Sequence, residues 1–376
     1  MYIRQKQLDN LINSLKFGKV HVIYGARRCG KTTLLKKFIE EIQKTCLFVS
    51  GEDIAVQDIL SSQSIEKLKG FVRRNRYVII DEAQKIDFIG LNLKLIVDHI
   101  PDVAVIATGS SAFDLARKMG EPLTGRKMSF HLFPLAQMEL ASRENTALTQ
   151  SFLESRLLYG SYPEVVLEKD NREKEIYLRE LVASYLYRDI LEFETIRNSD
   201  KLSRLLQMIA FQIGKEVSLT EIGSSLGISK NTVARYMDLL EKCFVIFRVG
   251  GFSRNLRKEV SKSSRYYFFD VGIRNALIKN FNSLNLRNDV GMLWENYIIA
   301  ERLKKQAYDQ MLVNNYFWRT YDQKEIDWVE ERDGGLFGYE MKYGKKQKRI
   351  PKEWIETYAG AQFSVIDQEN YIKFIV

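Results

Sequence analysis

Through the first 150 residues, short apolar runs alternate with helical patterns: VHVIYG, TTLLKKFIEEIQK, CLFVS, YVIID, LNLKLIVDHI and VAVIATGS follow one another. Strands that are apolar on both faces and separated by helices are what a parallel sheet covered on two sides requires. From about 151 to 213 the apolar residues recur at i, i+3 and i+4, in SFLESRLLYG, EIYLRELVASYLYRDILEFE and KLSRLLQMIAFQIG, which predicts helices. The stretch 218–248 reads as two short helices around Gly227 and a strand from Phe244 to Arg248. Strands and helices return in RYYFFD, WENYIIAERLKKQ, NNYFWRT, EIDWVEE and LFGYEMKY. The expected fold class is α/β: a parallel-sheet domain over 1–145, a helical segment over 146–213, a helix-turn-helix module over 214–265 and an α/β C-terminal domain over 266–376.

Composition narrows this only a little. With 376 residues, 45% hydrophobic and 28% charged, the chain has material for several cores, and 5 prolines and 22 glycines without a low-complexity tract disfavour long linkers. Three cysteines form no CxxC pair and three histidines lie far apart in sequence, so a disulfide framework or structural zinc has little support. No stretch approaches 18 uninterrupted apolar residues and the N-terminus lacks a signal-peptide core, so a soluble cytoplasmic protein with no membrane partner is expected. The net charge of +9 suits an acidic partner such as nucleic acid, and suits solubility equally well.

Residues 25–32, GARRCGKT, match GxxxxGK[ST] between a predicted strand and a predicted helix. That placement turns backbone N–H groups and a helix N-terminus toward phosphate. Gly25 and Gly30 permit the tight path, Lys31 reaches the β- and γ-phosphates and Thr32 ligates Mg²⁺. Arg28, Cys29 and Thr33 complete the candidate nucleotide-binding set; Cys29 is a spacer or, alternatively, a low-pKa thiol at a helix N-terminus.

A hydrolytic site needs a second acidic feature, and YVIIDE supplies an apolar strand ending in two acids fifty residues after Lys31. Asp81 is the candidate for the magnesium shell and Glu82 for orienting or deprotonating the attacking water. A third strand ends in Thr108 and Ser110, which either contact the γ-phosphate or its water or cap the helix begun by AFDLARKM. Arg126, with no acid nearby in sequence, is a candidate to supply charge to the transition state from its own or a neighbouring subunit of a homo-oligomer.

Together GARRCGKT, VIIDEAQ, ATGSSAF, LTGR and FPLAQMEL resemble the AAA+-type P-loop ATPases of bacteria and archaea. More narrowly they resemble the branch in which such an ATPase precedes a C-terminal region of unknown function, and the similarity continues through GSYPEVV, SYLYRDI, YYFFDVGIRNAL and EIDWV followed by YEMKY. The resemblance implies ATP as the bound nucleotide, with hydrolysis.

Ser218 or Thr220 can cap a first helix and Ser229 a second one that presents Lys230, Asn231, Thr232 and Arg235. This is a winged-helix pattern, and residues 248–265 add six basic side chains against one acid. Either a charged wing on DNA or a packing module with a solvated face reads this way; protein partners belong to the second reading. Farther on, Asp327 precedes Glu340 and Lys342 across a predicted hairpin, and strand alternation puts Glu340 and Lys342 on one face. Two carboxylates beside a lysine can hold a metal that generates hydroxide for phosphodiester attack. The arrangement resembles the PD-(D/E)xK nuclease core, with Glu295 as its helical acid, although Ile326 stands where that core carries proline. Residues 342–352 carry six basic and no acidic side chains, which would help dock a polyanion.

Overall fold

The computed structural model describes residues 2–109, 123–186, 199–253, 263–320, 324–344 and 350–376. The chain divides into two compact units, Met1–Pro134 with Lys242–Phe244 and Leu135–Glu241 with Val245–Val376.

The first unit begins with α1 (Lys6–Ser14), β1 (Val20–Gly25) and α2 (Lys31–Ile42). Then come β2 (Cys46–Ser50), β3 (Tyr77–Asp81), α3 (Ile89–His99), β4 (Ala104–Gly109) and β5 (Lys127–Leu132). The sheet order is β2-β3-β4-β1-β5 and every pairing is parallel. The three central strands are buried at every position, as their unbroken apolar runs require. Ile23, Leu34, Leu35, Phe38, Ile79 and Ile106 form the core between the sheet and α2. Register pairs Ser50 with Asp81, Ile80 with Ala107, and Tyr24 with both Gly109 and His131, so the carboxyl ends of the strands share one edge. That edge is where open α/β sheets bind ligands.

The second unit contains α4 (Leu153–Tyr159), α5 (Leu219–Leu226), α6 (Lys230–Lys242), β6 (Ile246–Gly251), β7 (Ser264–Phe268), α7 (Val271–Leu277) and α8 (Val290–Tyr308). It ends with β8 (Asn314–Arg319), β9 (Glu325–Arg332), β10 (Gly335–Met341) and β11 (Gln362–Ile366) in a mixed sheet of order β11-β10-β9-β8-β6-β7. The β9–β10 hairpin turns through Asp333 and Gly334, both at positive φ, the conformation a two-residue turn demands. Gly160, at φ +74°, lies where a Cβ would come within 2.0 Å of Asp270 Oδ1. Asp270 in turn caps α7 through Gly272 N (2.9 Å) and accepts from Ser161 N (2.7 Å).

The break expected at 145/146 falls at 134/135. The breaks expected at 213/214 and 265/266 both fall inside the second unit, and across the latter β6 pairs with β7 on one side and with β8 on the other. The described ends of the stretch read as the wing, in β6 and β7, are thus part of the C-terminal sheet. The strand expected from Phe244 starts at Ile246, after Phe244 has turned the chain at φ +57°. Among the described residues, no helix is long and apolar enough to cross a membrane.

Candidate functional site

β1 delivers the chain to the phosphate loop and α2 takes it away. Gly25 is forced by crowding: a Cβ there would meet Leu132 O of β5 at 2.2 Å. Gly30 sits at φ +104° at the start of α2, a conformation glycine adopts without penalty. The Gln5 amide, buried behind the loop, donates to Cys29 O at 2.8 Å and braces it. The Lys31 ammonium donates to Gly25 O (2.8 Å) and Ala26 O (2.9 Å), so it lies within the curve of the loop. Arg28 and Thr33 are exposed at its rim. The Cys29 side chain points into the hydrophobic core and is fully buried, which leaves its backbone N–H as the group that could meet nucleotide and speaks against the reactive-thiol reading.

The second half of the site stands at the end of β3. Thr32 Oγ1 donates to Asp81 Oδ2 at 2.6 Å, and Thr108 Oγ1 donates to Asp81 Oδ1. Thr108 also accepts from Glu82 N at 3.1 Å, and it is wholly buried. Its hydroxyl therefore holds the end of β3 from behind; the helix begun by AFDLARKM lies outside the described residues. Glu82 adopts φ +53°, and its Oε2 accepts from the Gln84 amide at 2.5 Å. Gly51 at the end of β2 backs this turn so closely that a Cβ would meet Glu82 O at 2.4 Å. Gln5 and Gly51 carry no motif signal and only the fold reveals them; Gln84 ends VIIDEAQ but its bond to Glu82 is likewise seen only in the fold.

The donor set fits a nucleotide with magnesium. Backbone N–H groups and an ammonium line the loop, and a hydroxyl and a carboxylate already in contact offer hard oxygen ligands. Ser110 lies outside the described residues. Arg126 does not belong to this site: it precedes β5, and its carbonyl accepts from Val20 N at the amino end of the sheet. Its guanidinium donates to Asp98 Oδ1 at 2.6 Å, an acid distant in sequence, so a transition-state role within its own subunit is corrected.

In the second unit, Ser218 caps α5 through Glu221 N (3.3 Å), Gly227 turns the chain at φ +61° and Ser229 accepts from Thr232 N at 3.1 Å. Val233, Tyr236, Met237 and Leu240 of α6 are buried, while Lys230, Asn231 and Arg235 are exposed and Thr232 is half-buried. Of the basic stretch 248–265, Arg248 is exposed and Arg265 is buried; Arg254, Arg257, Lys258 and Lys262 lie outside the described residues. So do Lys345, Lys346, Lys348 and Arg349 of the later run.

The C-terminal acids gather as expected, but around cations of the chain itself. Lys342 Nζ pairs with Glu340 Oε1 at 2.7 Å and Met341 N donates to Asp327 Oδ2 at 2.8 Å. Arg265, which the motif did not include, places Nη1 3.7 Å from Asp327 Oδ1 and 3.9 Å from Glu295 Oε1. Burial, then the Asp327 charge, raises Glu295 to about 8; burial, then Glu340, raises Asp327 to about 6. Among the described residues no group of three or more His, Cys, Asp or Glu side chains could hold a metal ion. The metal role expected of Asp327, Glu340 and Glu295, and the hydrolytic role expected of Asp327, Glu340 and Lys342, thus fall on an ion-paired cluster that also contains Arg265.

Residues 18–141 match the family model of an AAA domain, and 150–284 and 290–371 match two domains of unknown function (DUF8612 and DUF4143). An uncharacterized protein of Haemophilus influenzae is 24% identical over 95% of this chain and 89% of its own length. An uncharacterized protein of Methanocaldococcus jannaschii is 24% identical over 88% and 77%. Among solved structures, a signal transduction ATPase with numerous domains and a tetratricopeptide repeat sensor from Pyrococcus horikoshii aligns with 82% of this chain at TM-score 0.30 and 13% identity. This chain spans about half, 48%, of that one. A RuvB variant of Thermotoga maritima aligns with 66% of this chain and 90% of its own at TM-score 0.34 and 15% identity.

Proposed function

We propose that the first unit is a Mg²⁺-dependent ATP hydrolase. The observation that carries this is the contact between Thr32 and Asp81, which joins the phosphate loop to the carboxylate at the end of β3 on the ligand-binding edge of the sheet. The loop amides and Lys31 hold the β- and γ-phosphates, and Thr32 and Asp81 hold the metal. Bound Mg²⁺ neutralises charge on the phosphate oxygens. Glu82, anchored through Oε2 by Gln84, orients a water for in-line attack and accepts its proton. Phosphate release from ATP by wild type, Lys31→Ala and Glu82→Gln tests the assignment. Lys31→Ala should lose binding, while Glu82→Gln should bind ATP and fail to turn it over.

A second function is proposed for the second unit, contact with nucleic acid through α6. It is supported by the exposure of Lys230, Asn231 and Arg235 on a helix whose opposite face is packed. Titration of labelled duplex at two salt concentrations tests it. Absence of binding at low salt, with and without ATP, would favour the nucleotide switch that acts through protein partners.

A further inference from the structure

The acid cluster of the C-terminal sheet contains its own cation, and we propose that Arg265 occupies the place the nuclease resemblance assigns to a metal, making the cluster an ionic fastening of the sheet. Arg265 is held at both ends. Its backbone pairs with Val249 in the β6–β7 ladder and bridges to Glu216 on the other side. Its guanidinium donates through Nη2 to Glu325 at 2.7 Å, points Nη1 at Asp327 and Glu295, and lies over the Phe317 ring at 4.5 Å. One side chain from β7 thus reaches acids on α8 and β9 at once, with an aromatic floor contributed by β8. The arginine fork suits this multiple contact, as a planar cation with several fixed donors does.

The cluster carries two cations of its own. Lys342 faces Glu340, and Arg265 faces Asp327. Glu325 accepts from Arg265 Nη2 at 2.7 Å, and Glu295 accepts from the Tyr267 hydroxyl at 2.7 Å. Asp327 spends Oδ2 on the backbone N–H of Met341. A divalent ion entering here would meet a fixed positive charge less than 4 Å from two of its expected ligands, and like charges repel strongly in a desolvated site. The guanidinium has no easy exit, because the residue is only 3% exposed and is packed against Phe317. Removing one partner of such a buried pair leaves an uncompensated charge, which is the costly change.

The test uses the full chain without nucleotide. Mn²⁺ is titrated into wild type and Asp327→Asn and bound metal is counted by electron paramagnetic resonance; the two isotherms should coincide. A Mn²⁺ site present in wild type and lost in Asp327→Asn would overturn the proposal, as would Mn²⁺-dependent DNA cutting abolished by the same change. Thermal melts provide a second arm. Arg265→Ala should lower Tm by roughly 5 °C or more, and Arg265→Ala with Asp327→Asn should lower it by less than the sum of the singles. Strictly additive singles would contradict the fastening. Should Arg265→Ala not be recovered folded, Arg265→Lys serves the same cycle and the Mn²⁺ comparison stands by itself.

Discussion

The Thr32 hydroxyl donates to Asp81 Oδ2 at 2.6 Å, linking residues 49 positions apart in the chain. Asp81 Oδ1 accepts from Thr108, so both oxygens of this nearly buried carboxylate are engaged from opposite sides. An amide in its place has only one acceptor oxygen and no charge. Asp81→Asn should therefore weaken Mg²⁺-dependent ATP turnover by about 100-fold or more, while nucleotide affinity measured without Mg²⁺ changes far less. Turnover titrated against Mg²⁺ checks this.

Gly160 provides a stability prediction away from the nucleotide. Its φ of +74° is unfavourable for alanine, and the new methyl would lie 2.0 Å from Asp270 Oδ1, which caps α7. Gly160→Ala should cost roughly 2–4 kcal/mol, read from chemical denaturation. A change within experimental error would mean that the Asp270 contact is easily rearranged.

The buried acid cluster predicts a pH dependence. The folded pKa of Glu295, raised to about 8, lies above that of the unfolded chain, so the native state binds the extra proton between pH 4.5 and 8. Stability must then fall as pH rises through that window. The charged and titratable groups facing Glu295 are Arg265 and Tyr267 from β7, Glu325 and Asp327 from β9, and Lys342 just after β10. Comparing denaturation at pH 6 and pH 8 should show a loss at pH 8 that Glu295→Gln largely removes.

For the α6 reading, Lys230→Ala and Arg235→Ala should each weaken duplex binding and reduce the slope of log affinity against log salt by about 1. Arg126→Ala, which alters an exposed pair with Asp98 at the far end of the sheet, should leave that slope unchanged.

Local signals were legible in the sequence. GARRCGKT between a strand and a helix, YVIIDE and the capped helices on either side of Gly227 are each contained within a few consecutive residues, and the structure places them as read. What the sequence withheld depends on pairing across distance. Arg126 looked unpartnered because Asp98 precedes it by a whole strand, and Arg265 looked like one basic residue of a charged run although its acids come from α8 and β9. The strand at 246–251 looked like the end of a module because nothing local reveals that its second neighbour is β8. Thr108 was noticed for its hydroxyl, but its attachment to Asp81 follows from strand order alone.

If residues 25–33 and 81–82 form an ATP-hydrolysing site, ATP binding together with phosphate release for wild type and Glu82→Gln at saturating Mg²⁺ reads it out most directly. Both proteins should bind ATP, wild type should release phosphate, and Glu82→Gln should release it about 100-fold more slowly or not at all. Equal release by the two proteins would contradict the role of Glu82, and wild type that fails to bind ATP would contradict the site.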